Sequence, residues 1–164
     1  MPSERFIDAL NAQVAREFAA AHQYTAIAAY YAGETYPQLA AFFYKQADEE
    51  REHALKMVNY LLDTNSSVNM TGVDAPRTSF EDHVAPIRLA LEQEQSVTVS
   101  ISELFEVARE TKDYRSEQFL DWFLEEQTEE ESSMSDLLAV AERTVSVPML
   151  LEEYLARETP GADG

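Results

Sequence analysis

Apolar residues recur along this chain in steps of three and four, and the steps divide it into four long stripes. The first is Ile7, Leu10, Val14, Glu17, Ala21, Tyr24, Ala28 and Tyr31, and the second is Tyr36, Leu39, Phe43, Gln46, Glu50, His53, Met57 and Tyr60. The third is Ile87, Leu91, Glu94, Thr98, Ile101, Phe105 and Ala108, and the fourth is Leu120, Phe123, Gln127, Glu130, Met134, Leu137 and Ala141. This period is that of a helix with one face turned to a core. It predicts helices over 3–32, 36–63, 82–110 and 114–143, with a short fifth over 147–157 carrying Leu150, Leu151, Tyr154 and Leu155.

Local signals punctuate the stripes. Ser3 is placed to cap the first helix and Gly33 to stop it. Thr35-Tyr36-Pro37-Gln38 reads as a capping box with proline in the first turn. The very short connection between helices one and two makes them antiparallel neighbours. Residues 64–81 hold Asn, Ser, Thr, Gly72 and Pro76 without a period, so they read as a crossover loop. Such a loop is long enough to run the length of a bundle and leave helices two and three parallel. Pro86 blurs the start of helix three, because proline suits a first turn and kinks an interior. Asp113 caps helix four, Ser146-Val147-Pro148 ends it, and Thr159 to Gly164 reads as a frayed tail. The expected fold is therefore all-α: one domain over 1–164, an antiparallel four-helix bundle with a long crossover and a short C-terminal helix.

Composition narrows the function. The 164 residues contain no cysteine, which removes disulfides, thiolate metal sites and iron–sulfur clusters. A formal charge of -19 speaks against nucleic acid and anionic membrane as partners and favours cations. There is no long uncharged apolar run and no leader-like N-terminus, so the cytoplasm is the expected compartment. His22 and His83 fall off the inward pattern or near a helix start and read as surface residues.

The polar residues inside the stripes change the picture most. Glu17, Glu50, Glu94 and Glu130 each interrupt an apolar seam near the midpoint of its helix. In a bundle of equal helices, midpoints share one level whichever way each helix runs. Four carboxylates would then meet at the centre, with His53 one turn from Glu50 and with Gln127 and Tyr24 alongside. Bare charge of that kind costs several kcal/mol per ion, about what burial of an unpaired carboxylate entails. Two divalent cations match four carboxylates in charge, and an oxygen-rich set with one imidazole suits iron or manganese.

These residues resemble those of the bacterial non-haem ferritins over essentially the whole chain. The likeness rests on Glu17 and Tyr24, on Glu49-Glu50-x-x-His53, on Glu94 within Leu91-Glu92-Gln93-Glu94-Gln95, and on Trp122 to Glu131 with Gln127-x-x-Glu130. The resemblance implies a ferroxidase that oxidises Fe(II) with dioxygen or peroxide and deposits ferric mineral in a shell of twenty-four copies. It implies one iron held by Glu17, Glu50 and His53. Glu50 would bridge to a second iron that also takes Glu94 and Glu130, with Gln127 orienting ligands or dioxygen. Tyr24 would hydrogen-bond a ligand carboxylate or lend an electron. A third iron site would match Glu49, Glu126 and Glu129, which flank the seam and read equally as a solvated acidic face. The related bacterioferritins carry a second Glu-x-x-His on helix four, where this chain has Gln127-x-x-Glu130, and a haem-ligating Met where this chain has Arg51. Haem is therefore not expected. The competing readings are another diiron or dimanganese bundle of the rubrerythrin or catalase kind, and a non-catalytic acidic scaffold or cation buffer.

Overall fold

A computed structural model describes residues 1–158, so the expected tail at Thr159–Gly164 lies outside the described residues. The chain is all-helical: α1 Glu4–Gly33, α2 Pro37–Asp63, α3 Ala85–Glu110, α4 Tyr114–Arg143 and α5 Met149–Glu158. Cross-helix contacts fix the direction of each. Tyr31 near the end of α1 donates its hydroxyl to His83 O just before α3, and Arg5 near the start of α1 pairs with Glu110 at the end of α3. The start of α4 meets the end of α2 through Tyr60 and Ser116, 3.0 Å apart, and the end of α4 meets the start of α3 through Arg88 and Glu142. Hence α2 and α3 run parallel to each other and antiparallel to α1 and α4, in the four-helix arrangement with a crossover.

The crossover is pinned along α1 at two heights. Asn11 donates to Ser67 O and accepts from Asn69 N at 2.9 and 2.8 Å. Gln23, three turns on, exchanges two hydrogen bonds with the backbone of Arg77. A single strap of irregular chain thus satisfies its own polar groups against a rigid helix.

Helix ends show where local signals were overridden. Ser3 Oγ caps α1 by accepting from Phe6 N. Gly33 is still helical, and α1 stops at Thr35, whose φ of 65° lets Tyr36 N reach back to Tyr31 O at 2.8 Å. Asn65 and Lys112 end α2 and α3 in the same left-handed way, with bonds from Ser66 N to Leu61 O and from Asp113 N to Ala108 O. Because Thr35 closes α1, the capping box at Thr35–Gln38 does not form, and Tyr36 is the N-cap of α2 without a side-chain bond. Its place is taken from afar: Glu152 of α5 accepts from Gln38 N and Leu39 N at 2.8 and 3.2 Å.

Helix α3 starts at Ala85, with Asp82 Oδ1 accepting from Val84 N and Ala85 N. Those bonds and the adjacent cation hold the Asp82 carboxyl below its ordinary range. The turn folds His83 inward against Tyr36, so this histidine is buried, not at the surface as its position suggested; His22 is exposed. The buried face of α3 is also shifted. Ala90, Val97 and Leu104 are inside, while Leu91, Thr98 and Phe105 are half-buried, because α3 packs against both α1 and α4.

The core has two apolar halves. One gathers Tyr24, Tyr31, Leu39, Phe43, Ile87, Met134 and Leu137, closed by Leu151 and Leu155 of α5. The other gathers Phe6, Leu10, Val14, Met57, Leu61, Ile101, Leu120 and Phe123. Glu17, Glu50, Glu94 and Glu130 occupy the waist between them.

Candidate metal centre

The four glutamates come from four helices, and their midpoint positions bring them to one level. Glu17, Glu50, His53, Glu94, Gln127 and Glu130 are each between 1% and 6% exposed, so the waist is dry by ordinary standards. Among the described residues no lysine or arginine is buried there. His53 Nδ1 lies 3.4 Å from Glu50 Oε2 and 3.9 Å from Glu17 Oε2. One ligand atom from each of Glu17, Glu50 and His53 can be chosen so that all lie within 4.8 Å of one another. That separation suits three donors around one cation.

The donors facing one another have nothing else to bind. Glu17 Oε2, both oxygens of Glu50 and His53 Nδ1 are buried without a hydrogen-bond donor, apart from a proton shared between carboxylates. Burial drives the carboxyl of Glu50 well above its ordinary range, with repulsion from Glu17, Glu94 and Glu130 adding to it. Glu130 is pushed up to about 8, by burial first and then by Glu94 and Glu49. Glu94 is also raised by burial, against the opposing effect of its hydrogen bonds. Three carboxyls so raised at one level are stable only while protons or cations offset their mutual repulsion.

The outer sides of the same carboxylates are tethered. Tyr24 OH donates to Glu94 Oε1 at 2.5 Å, and burial together with Glu94 and Glu50 raises its pKa, so the phenol stays a donor. Gln127 Nε2 donates to Glu94 Oε2 and to Glu94 O, both at 3.1 Å, and lies 3.3 Å from Thr98 Oγ1. Gln13, which the period of α1 did not single out, donates to Glu17 Oε1 at 2.7 Å. His53 is packed edge-on by Trp122 and Phe123, with centroids at 5.3 and 6.0 Å, which fixes the ring plane. Lys56 rests on the face of Trp122 and takes no part in the waist.

The residues expected at a third site divide. Glu126 Oε2 is 3.9 Å from His53 Nε2, and Glu49 and Glu126 are close enough to raise the Glu130 carboxyl. Both are half-buried at the edge of the waist, whereas Glu129 is exposed.

The comparisons with known proteins bear on this geometry. Residues 7–144 match the family described as Ferritin, Ferritin-like domain. The chain belongs to the ferritin family. A ferritin from Mycobacterium tuberculosis named BfrB is 43% identical over 99% of this chain and 92% of its own length. The bacterial non-heme ferritin of Staphylococcus aureus is 44% identical over 80% of each chain. Among solved structures, an open pore ferritin from the archaeon Archaeoglobus fulgidus superposes with a TM-score of 0.90 at 29% identity, over 93% of this chain and 96% of that one. As a ferritin the chain is an iron-storage protein with ferroxidase activity. No helix among the described residues is long and apolar enough to cross a membrane.

Proposed function

We propose that Fe(II) is bound and oxidised at the waist of the bundle, two ions per chain. Glu17, Glu50 and His53 hold the first ion. Glu50 bridges to the second, which Glu94 and Glu130 also take. The observation that carries this is the set of donor-free ligand atoms on Glu17, Glu50 and His53, facing one another in a buried site without a fixed cation. Two Fe(II) neutralise four carboxylates, whose protons leave as the metal enters. Gln127 and Tyr24 keep Glu94 in place, and the Tyr24 hydroxyl is close enough to the site to hydrogen-bond throughout or supply an electron. Dioxygen or peroxide is the oxidant. Glu49 and Glu126, with the exposed Glu129, receive ferric product at the edge of the site or serve as a third position for iron. No haem takes part. Copies of the chain, twenty-four in a cytoplasmic shell, enclose the mineral, and the net charge of -19 favours cation uptake.

The test is anaerobic loading with Fe(II) followed by oxygen, read by absorbance. A fast phase saturating near two irons per chain is expected, together with elution as a large particle on size-exclusion chromatography. Glu50→Ala abolishes the fast phase and keeps the helical fold, since packing rests on the apolar halves. Wild-type initial rates in that variant would rule out the site.

A further inference from the structure

Gln13 sits one turn before Glu17 on α1 and is completely buried. Both ends of its amide are engaged. Its Nε2 donates to Glu17 Oε1 at 2.7 Å, and its Oε1 accepts from Arg16 Nη1 at 3.2 Å. The arginine gives the amide a fixed sense: with the carbonyl turned to a cation, the NH2 group is left for the carboxylate. Glu17 is therefore held by one oxygen, and the other, Oε2, is left donor-free 3.9 Å from His53 Nδ1.

Helix α2 offers an internal contrast. Gln46 stands in the same relation to Glu50, one turn before it and buried, yet its Oε1 has no partner and neither oxygen of Glu50 receives a donor other than a proton shared with a neighbouring carboxylate. One glutamate is tethered through half of its carboxylate by an amide, and the other has no amide or hydroxyl donor at either oxygen. The first arrangement suits a ligand that gives one oxygen to one ion, and the second suits a ligand shared between two.

We infer that Gln13, clamped by Arg16, is a positioning residue that makes Glu17 a one-oxygen ligand to the ion it shares with Glu50 and His53. The inference rests on the metal centre proposed above. A donor of this kind beyond the ligands typically changes affinity by about 10–100-fold when lost, because the ligand must then be ordered by the metal itself. It also changes coordination: without Gln13, Glu17 is free to turn both oxygens to the ion.

Co(II), which is stable to oxygen on this timescale and coloured, reports both effects in the intact assembled protein. Gln13→Met keeps the side-chain length and removes the donor. The expected result is about tenfold weaker binding of one of two Co(II) per chain, with weaker visible absorption as that ion gains an oxygen ligand. Arg16→Met, a change at an exposed residue, should move affinity and spectrum the same way by less, and it decides the matter if Gln13→Met fails to assemble. Glu50→Ala serves as the control for the site. If Glu50→Ala loses Co(II) while Gln13→Met, or Arg16→Met in its stead, keeps the wild-type affinity and spectrum, the positioning role is overturned and the site stands. If Glu50→Ala binds Co(II) like wild type, the site itself is wrong and this inference falls with it.

Discussion

Replacing Glu130 by glutamine should stabilise the metal-free protein, and by more as the pH rises. The Glu130 carboxyl is pushed up from an ordinary value near 4.5 to about 8. Between those values the native chain holds a proton that the unfolded chain releases. The unfolded state then binds fewer protons, so stability falls with rising pH, by at most about 1.4 kcal/mol per pH unit. From pH 5.5 to 7.5 the loss from this one carboxyl is roughly 2–3 kcal/mol. Glutamine has the same shape, carries no charge, and presents an NH2 group towards the neighbouring Glu49. Relative to wild type, Glu130→Gln is therefore expected to gain roughly 2–3 kcal/mol across that interval, or roughly 5–10 °C for a chain of this size. The assay is a set of melts with chelator at pH 5.5, 6.5 and 7.5, at fixed ionic strength and fixed assembly state. Using the pH dependence of the difference removes any constant effect of the amide on packing. With anaerobic Fe(II) at a thousandfold excess over Kd that advantage is lost, because bound metal adds about 4 kcal/mol to a chain that retains its ligands. If the difference between variant and wild type does not change with pH, Glu130 is ionised in the native state and the waist is not a crowded dry site.

Other outcomes follow from single contacts. Glu152→Ala removes the acceptor for Gln38 N and Leu39 N, and it should cost about 1 kcal/mol and raise hydrogen exchange at those two amides; unchanged protection there would show that α5 does not cap α2 in solution. Glu129→Ala, at an exposed position, should leave the first two-iron oxidation at wild-type rate and slow only later turnover, so loss of the first phase would mean that the exposed acid belongs to the primary site.

The waist was legible because burial and polarity conflict there. A helix stripe is a statement about which residues leave water, and Glu17, Glu50, His53, Glu94, Gln127 and Glu130 sat inside stripes where carboxylates do not belong without a partner. All six are buried as the period required. Gln13 escaped notice because it lies beside Val14 on the flank of the stripe, where glutamine is ordinary; only its spacing of one turn from Glu17 hinted at a bond. Glu152 could not be read from sequence at all, since the partner it caps is more than a hundred residues away. A plausible local box at Thr35–Gln38 also stood in its way, and that box failed because Thr35 is needed in the left-handed conformation that closes α1. His83 and the buried face of α3 depart from the apolar period for a shared reason. Neither a loop turned inward by Asp82 nor a helix packed on two neighbours has its buried side set by one period.

The waist combines tethered carboxylates with ligand atoms that have no fixed partner. A lysine or arginine in the waist would neutralise the carboxylates permanently, and of the two cations on α2 that flank His53 in sequence, Arg51 is exposed and Lys56 is held outside over Trp122. The charge is left to mobile partners, protons or metal ions. Glu17 is held through one oxygen by Gln13, and Glu94 through both, by Tyr24 and Gln127, so these two carboxylates keep a set orientation. Glu50 at the middle has no partner at either oxygen beyond a proton shared with a neighbouring carboxylate. In the proposed centre, the fixed flanks would set the size and charge of what enters, and the less constrained Glu50 would be the carboxylate able to adjust between two ions. The two apolar halves above and below supply the stability that such a waist subtracts, which is why the glutamates sit at helix midpoints. Nearer an end, the same four charges would find water to solvate them, and the pressure to bind metal would be lost.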